Sequence, residues 1–378
     1  MAAVAATVVM SVTGVTAGPA TAGGQDDGTQ VPCSTTALTT AIVAASPGET
    51  LSLSRACTYH LTSAFSTGEG LPTIDQSLTI RGNGATIVRD GIGTAPFRIF
   101  HVVSGGNLRL EDLAVRGGNT SANGGGILVD SGGRLTLTGV DVIDNTSLNS
   151  GGGVAVSAGA TAVVRRGWLA FNNAANGAGL YSGGTLSVDD SEFSRNHARA
   201  VGGALYQDAG NAFVHASLVR RNTSAVSGGG VTNSGTASLE FSDSKIANNT
   251  TSGNQGGGIQ NLSRLRLEKT EVSGNVVGAT GGLGGGIFNT TSAAVLVVKG
   301  SEILRNSANG NGAAQAGGIY NNAGKVTLDH SHVRNNASTV APGGVFTTNQ
   351  FTVIGSSITH NIPTNCAGSP VVVTGCTD

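Results

Sequence analysis

The 378-residue sequence is poor in charge, in aromatic side chains and in long apolar runs, and each shortage excludes something. Charged residues make up 11% and the formal net charge is −1, so no basic stripe exists to neutralise phosphates. Nucleic acid and anionic membrane are poor partners for such a surface. No apolar run of membrane-spanning length follows the first residues, so no helical span is expected. Helical stretches of ten residues do not alternate with strands, which excludes a doubly wound α/β fold. Gly-x-Ser-x-Gly, a phosphate-binding Gly-Lys-Ser/Thr and His-Glu-x-x-His are all missing, so serine-hydrolase, nucleotide and zinc-protease chemistry lack a signature. No organic cofactor is expected.

What remains is glycine, 60 residues of it, and short aliphatic runs with period-two alternation. Residues 1–16 are apolar but too short to span a bilayer, and Ala20-Thr21-Ala22 has the small-x-small form of a cleavage site. Residues 1–22 therefore read as a signal peptide, and 23–32 as a flexible leader, of a secreted protein. Four cysteines agree with export, and the local pairs Cys33–Cys57 and Cys366–Cys376 would staple the two ends of the chain.

Self-similarity decides the fold. A motif of small residue, any, aliphatic, any, any, Asn recurs as Ser191 to Asn196, Ser244 to Asn249, Thr270 to Asn275, Ser301 to Asn306 and Ser331 to Asn336. With looser copies the landmarks are Asn145, Asn172, Asn196, Asn222, Asn249, Asn275, Asn306, Asn336 and Asn361, a period of roughly 26 residues. A Gly-Gly-Gly-aliphatic signature keeps step with it, and an alternating strand such as Leu186-Ser-Val188 precedes each Asn motif. Three short strands per period suit one coil of a three-sided parallel β-helix of about ten coils, stacked about 4.8 Å apart. The Asn residues are expected at left-handed turns, with amides bonding up and down a column. Asn233, Asn261, Asn289 and Asn321 would form a second column. Several landmarks also fit Asn-x-Ser/Thr (Asn145, Asn222, Asn249, Asn289, Asn336), which in a Ser/Thr-rich repeat is turn composition before it is glycosylation. Residues 33–76 form an N-terminal cap in which 35–46 are helical through Leu38, Ile42 and Val43. Residues 77–361 are the β-helix, and 362–378 a C-terminal disulfide cap.

The paired Gly-Gly-[small]-aliphatic and Phe-x-x-Asn signatures, best seen in Gly202-Gly-Ala-Leu205 and Phe193-Ser-Arg-Asn196, resemble the repeats of chlamydial polymorphic outer membrane proteins. More broadly the chain resembles the pectate-lyase-like superfamily over residues 77–361. That resemblance implies an all-β, right-handed, single-stranded parallel β-helix. It leaves function open, because the superfamily includes polysaccharide lyases, glycoside hydrolases, adhesins and inactive scaffolds.

Coil register brings chemistry-bearing residues together. Asp189, Asp190 and Glu192 fall beside Arg165 and Arg166 of the preceding coil and His215 of the next. Carboxylates beside Arg and His are what an acidic-sugar lyase needs, with Ca²⁺ bridging the uronate and a base removing the proton. The plainer alternative is a cross-coil salt-bridge ladder. Glu271 and Glu302 share an outward column and make a candidate Ca²⁺ pair, or a solvated pair tempered by Lys245 and Lys299. Asp329, His330 and His332 are a weaker metal candidate. The residue after each Gly-cluster aliphatic gives Tyr181, Tyr206, Phe288, Tyr320 and Phe346 in one column. If these rings point outward they form two patches suited to stacking on sugars, the second walled by loops 276–284 and 307–316; alternatively they pack beneath the loops. These features favour an extracellular polysaccharide or cell-surface glycan as partner, bound and, in a catalytic version, cleaved by a lyase or glycoside hydrolase. A non-catalytic adhesin or surface scaffold is the alternative.

Overall fold

A computed structural model describes residues 28–91, 95–310 and 312–378. The proposed signal peptide and residues 23–27 of the leader lie outside them. The described chain winds into a parallel β-solenoid of about eleven turns. Each coil from Ile127 to Ser338 carries four short strands rather than three. In the coil of residues 180–201 these are Leu180–Ser182, Thr185–Asp189, Glu192–Ser194 and His197–Val201. The second and third belong to one 23-stranded sheet that bends at Asp190, while the fourth and first build sheets of nine and ten strands. The fourth strand escapes detection in the sequence because most copies are only two residues long, such as Thr223–Ser224 and Thr250–Thr251.

Alternation within these strands sends Leu186, Val188, Phe193 and Leu205 inward, each at most 1% exposed, into a core that runs the length of the rod. Glycine lines the corner that leads into each first strand because the backbones there nearly touch. A Cβ on Gly257 would lie 2.5 Å from the carbonyl oxygen of Gly285 on the next coil.

The Asn landmarks form the expected amide column. Asn196 donates from both its backbone N and its Nδ2 to Asn222 Oδ1 (3.0 and 2.9 Å), and Asn222 repeats the pattern on Asn249. The column runs from Asn145 to Asn361, and Asn365 of the C-terminal cap supplies the last acceptor. These Asn do not hold the left-handed turn. The residue before each of them does, including Phe171, Arg195, Arg221 and Asn248 at φ of 55–57°. The side chain is spent on the ladder and the neighbour takes the strained backbone. The second column also forms, through Asn233, Asn261, Asn289 and Asn321. Asn145, Asn222, Asn249, Asn289 and Asn336 are fully buried, so in the folded protein these five carry no glycan.

Both disulfides form as expected. A capping helix, Thr35–Ala44, seats Leu38 and Ile42 on the first coil, whereas Val43 is 63% exposed and takes no part. Part of the expected flexible leader is ordered: Thr29–Val31 pairs in parallel with Glu49–Leu53 and buries Val31.

Candidate functional site

The bent sheet has a concave corner where one strand ends, a single residue turns left-handed and the next strand begins. Asp112, Arg166, Asp190 and Ala216 occupy that turn at φ of 46–50°, with Gly139 between Asp112 and Arg166. Depressions follow the corner. One of about 330 Å³ is lined by Asp112, Gly139 and Asp141 among others. Another of about 440 Å³ is lined by Arg166, Gly167, Trp168, Asp190, Ser191, Glu192, Ala216 and Leu218.

The six residues expected to carry catalysis divide between the floor and the rim of this corner. Arg166, Asp190 and Glu192 line the larger depression. Arg165, Asp189 and His215 are successive cross-strand partners on its rim. His215 Nδ1 lies 2.7 Å from Asp189 Oδ1, and Arg220 Nε donates to Glu192 at 3.0 Å. Glu192 is thus answered by a cross-coil cation, Arg220 rather than Arg165 or Arg166, and Asp189 by a hydrogen bond with the His215 ring.

Two residues not singled out in the sequence, Asp141 and Trp168, belong to the same wall. Asp141, Trp168 and Glu192 are cross-strand neighbours on three successive coils. Trp168, the only tryptophan, is half-buried and fixed by an indole N–H donated to Ser194 Oγ at 2.9 Å. Burial holds the Asp141 carboxyl above the usual carboxylate range. An aromatic platform between two carboxylates, roughly 10 Å apart along the stack, suits one sugar unit bound between polar contacts. The signal was available: the one Trp stood at an outward position four residues before Asn172.

The aromatic column lies on the ten-stranded sheet, so it does not share a groove with Asp189–Glu192. Tyr181 and Tyr206 meet edge to face at 5.4 Å. Both hydroxyls donate to Asp208, at 3.0 Å each, and Ser234 joins the same carboxylate. Burial, then the Asp208 charge, pushes the Tyr181 phenol far upward, so it stays a neutral donor. The second patch is not open. Phe288 and Phe346 are 2% and 7% exposed, stacked on either side of Tyr320 at 5.4 and 4.4 Å. The flanking loops join a stacked corner, with Leu283 bridging to Gln315 and Gln315 to Val340.

Neither metal candidate assembles. Glu271 and Glu302 are neighbours as expected, but Lys245 holds the first at 3.0 Å and Arg334 the second at 3.1 Å. The pair is neutralised by cations and does not fit Ca²⁺. Asp329 binds His330 at the left-handed corner, while His332 lies on the next strand beside Ser357, so the two His do not share a strand face. Among the described residues no three His, Cys, Asp or Glu side chains converge as a cation site.

A further cluster escaped sequence reasoning because its members are about 30 residues apart and outside the Asn motif. Glu69 Oε1 receives Arg98 and lies 3.1 Å from His101 Nδ1, and His101 Nε2 lies 2.7 Å from Asp130. The Glu69 bond, more than the Asp130 bond, raises the His101 pKa against the opposing effect of burial. A raised folded pKa adds stability that is complete below the ordinary value of 6.5 and is lost as pH rises through the folded value. Urea midpoints of wild type and His101→Gln should therefore converge as pH climbs above about 6.5. A difference that stays constant or widens contradicts this.

Comparison with known proteins agrees with the geometry. A model of the right-handed beta helix region matches residues 99–299. No curated protein matches the chain. Among solved structures the chain is similar to pectate lyase Pel9A, at 14% identity over 89% of this chain and 75% of that one, TM-score 0.42. It is also similar to PfbA, a surface adhesin of Streptococcus pneumoniae, at 11% identity over 82% and 90%, TM-score 0.35. No function passes from either protein at such identities. Four strands per coil, an unbroken aliphatic core and the family match over more than half the sequence agree: the chain belongs to the right-handed β-helix family.

Proposed function

We propose that this protein is secreted and binds an extracellular polysaccharide in the concave corner around Trp168. One observation carries the reading: the only tryptophan, pinned by Ser194, lines a depression of about 440 Å³ together with Arg166, Asp190 and Glu192. A ring held in place by a hydrogen bond loses little freedom when a sugar face stacks on it, and the polar rim supplies orientation. The Tyr181/Tyr206 pair offers a second contact surface on another sheet.

A non-catalytic role, as adhesin or surface scaffold, is favoured over cleavage by the ion pairs. Glu192 is paired with Arg220 and Asp189 is hydrogen-bonded with the His215 ring, so both carboxylates are engaged within the protein. The repeats' resemblance to chlamydial surface proteins fits that role.

The test incubates the mature protein with a panel of neutral and uronate polysaccharides, with Ca²⁺ and with chelator. Retention on a glycan column should fall at least tenfold in affinity for Trp168→Ala, about 1.4 kcal/mol, with no release of reducing or unsaturated ends. Chain cleavage that disappears in Asp190→Ala would instead establish an enzyme. Failure to bind any glycan would overturn the proposal.

A further inference from the structure

Around the next corner from Trp168, where the Asn column runs, the left-handed position is filled on successive coils by Phe171, Arg195, Arg221 and Asn248. Phe171 is 39% exposed and touches Trp168 edge to face, with ring centroids 6.2 Å apart. The Arg195 guanidinium lies over the Phe171 ring, 5.3 Å from its centre. Both Arg195 and Arg221 are exposed, and among the described residues neither forms an ion pair. The nearby carboxylates are already engaged: Asp144 by Arg116 at 2.6 Å and Glu192 by Arg220 at 3.0 Å. In a chain of net charge −1, two unanswered guanidiniums one coil apart, continuous with an aromatic surface, are an unmatched positive feature.

Their arrangement selects among anions. A planar carboxylate is taken edge-on by one guanidinium fork. Arg195 and Arg221 leave the backbone on neighbouring coils, about 4.8 Å apart, so an anion held by both must offer an edge to each. A tetrahedral oxyanion presents a separate edge to each. Stacking on Phe171 leaves the Arg195 N–H groups free at the rim of the ring plane and limits the motion of the side chain. Resting on the polysaccharide reading above, we infer that Arg195 and Arg221 form a subsite for a sulfate ester, so that sulfated polysaccharides are the ligand class bound across the Trp168–Phe171 surface.

The test uses matched pairs, dextran sulfate against dextran and a sulfated galactan against its desulfated form, with polygalacturonate and polyphosphate as competing anions. Binding to the mature full-length chain is measured by titration calorimetry at two salt concentrations. The double variant Arg195→Asn/Arg221→Asn suits the fold, because Asn248 and Asn335 already occupy the same left-handed position in other coils. The sulfated member of a pair should bind about tenfold or more tightly than its partner, and the double variant should lose that margin and most of the salt dependence. Arg305→Asn, at the same position several coils away, should leave binding unchanged. Equal affinity of wild type and double variant for the sulfated ligands overturns the subsite. Polygalacturonate or polyphosphate binding as tightly as the sulfated glycans overturns the assignment to sulfate. Neither result touches the underlying reading, which falls instead if Trp168→Ala leaves every glycan affinity unchanged.

Discussion

Replacing Asn222 by alanine should destabilise the protein by about 3–5 kcal/mol, although the position sits in a surface turn motif by sequence. Its side chain is fully buried and serves two coils at once. Oδ1 accepts from the backbone N and Nδ2 of Asn196, while Nδ2 donates to the Phe193 carbonyl and to Asn249 Oδ1, at 2.9–3.0 Å throughout. Alanine removes all four bonds, taking the acceptor from the Asn196 backbone N–H and one partner each from Asn196 Nδ2 and the Phe193 carbonyl; a buried polar group left unsatisfied costs about 1–3 kcal/mol. Asn222→Asp should be worse still, because a carboxylate would face the Phe193 carbonyl and Asn249 Oδ1, both acceptors. Denaturant unfolding measures both variants. A loss under about 1 kcal/mol for Asn222→Ala would mean that the column contributes little beyond turn composition.

The second large effect is expected at Phe193, whose ring is fully buried between two residues of the candidate site. Glu192 on one side lines the depression, and Ser194 on the other holds the Trp168 indole. Phe193→Ala should cost about 3–5 kcal/mol through lost burial and the cavity left behind. It should also weaken glycan binding well below the unfolding temperature, by letting the strand Glu192–Ser194 shift. Phe193→Leu keeps most of the volume and should cost under about 1.5 kcal/mol with binding retained. Binding that survives Phe193→Ala at full strength would show that the depression does not depend on the core beneath it.

Both effects follow from a period that could be read directly. The spacing of the Asn landmarks gave the coil, its alternating aliphatics gave the core, and the positions of the four cysteines gave the staples at each end. Register also placed Arg165, Asp189 and His215 in one row, as the structure does. Register says which residues are neighbours along the rod, but not which face each row occupies around it. Spacing alone therefore does not separate Tyr181 from Asp189, although they sit on different sheets. Nor does it say what a side chain has already bound. Glu271 and Glu302 look like a bare carboxylate pair until Lys245 and Arg334 are in place. Phe288 and Phe346 stand at outward positions, yet stacking on Tyr320 withdraws them from solvent. The cluster of Glu69, Arg98, His101 and Asp130 precedes the first clear Asn motif, so no column marked it.

Because Trp168 is the only tryptophan, its emission reports the candidate site without labelling. Titrating the protein with a polysaccharide that calorimetry shows to bind is the most direct test of the central claim. The indole should move to a drier environment as the sugar stacks, giving a saturable change in emission whose midpoint matches the calorimetric Kd and is absent with a non-binding glycan. A calorimetric binding curve with Trp168 emission unchanged from first addition to saturation would contradict it, and would place the ligand elsewhere on the rod.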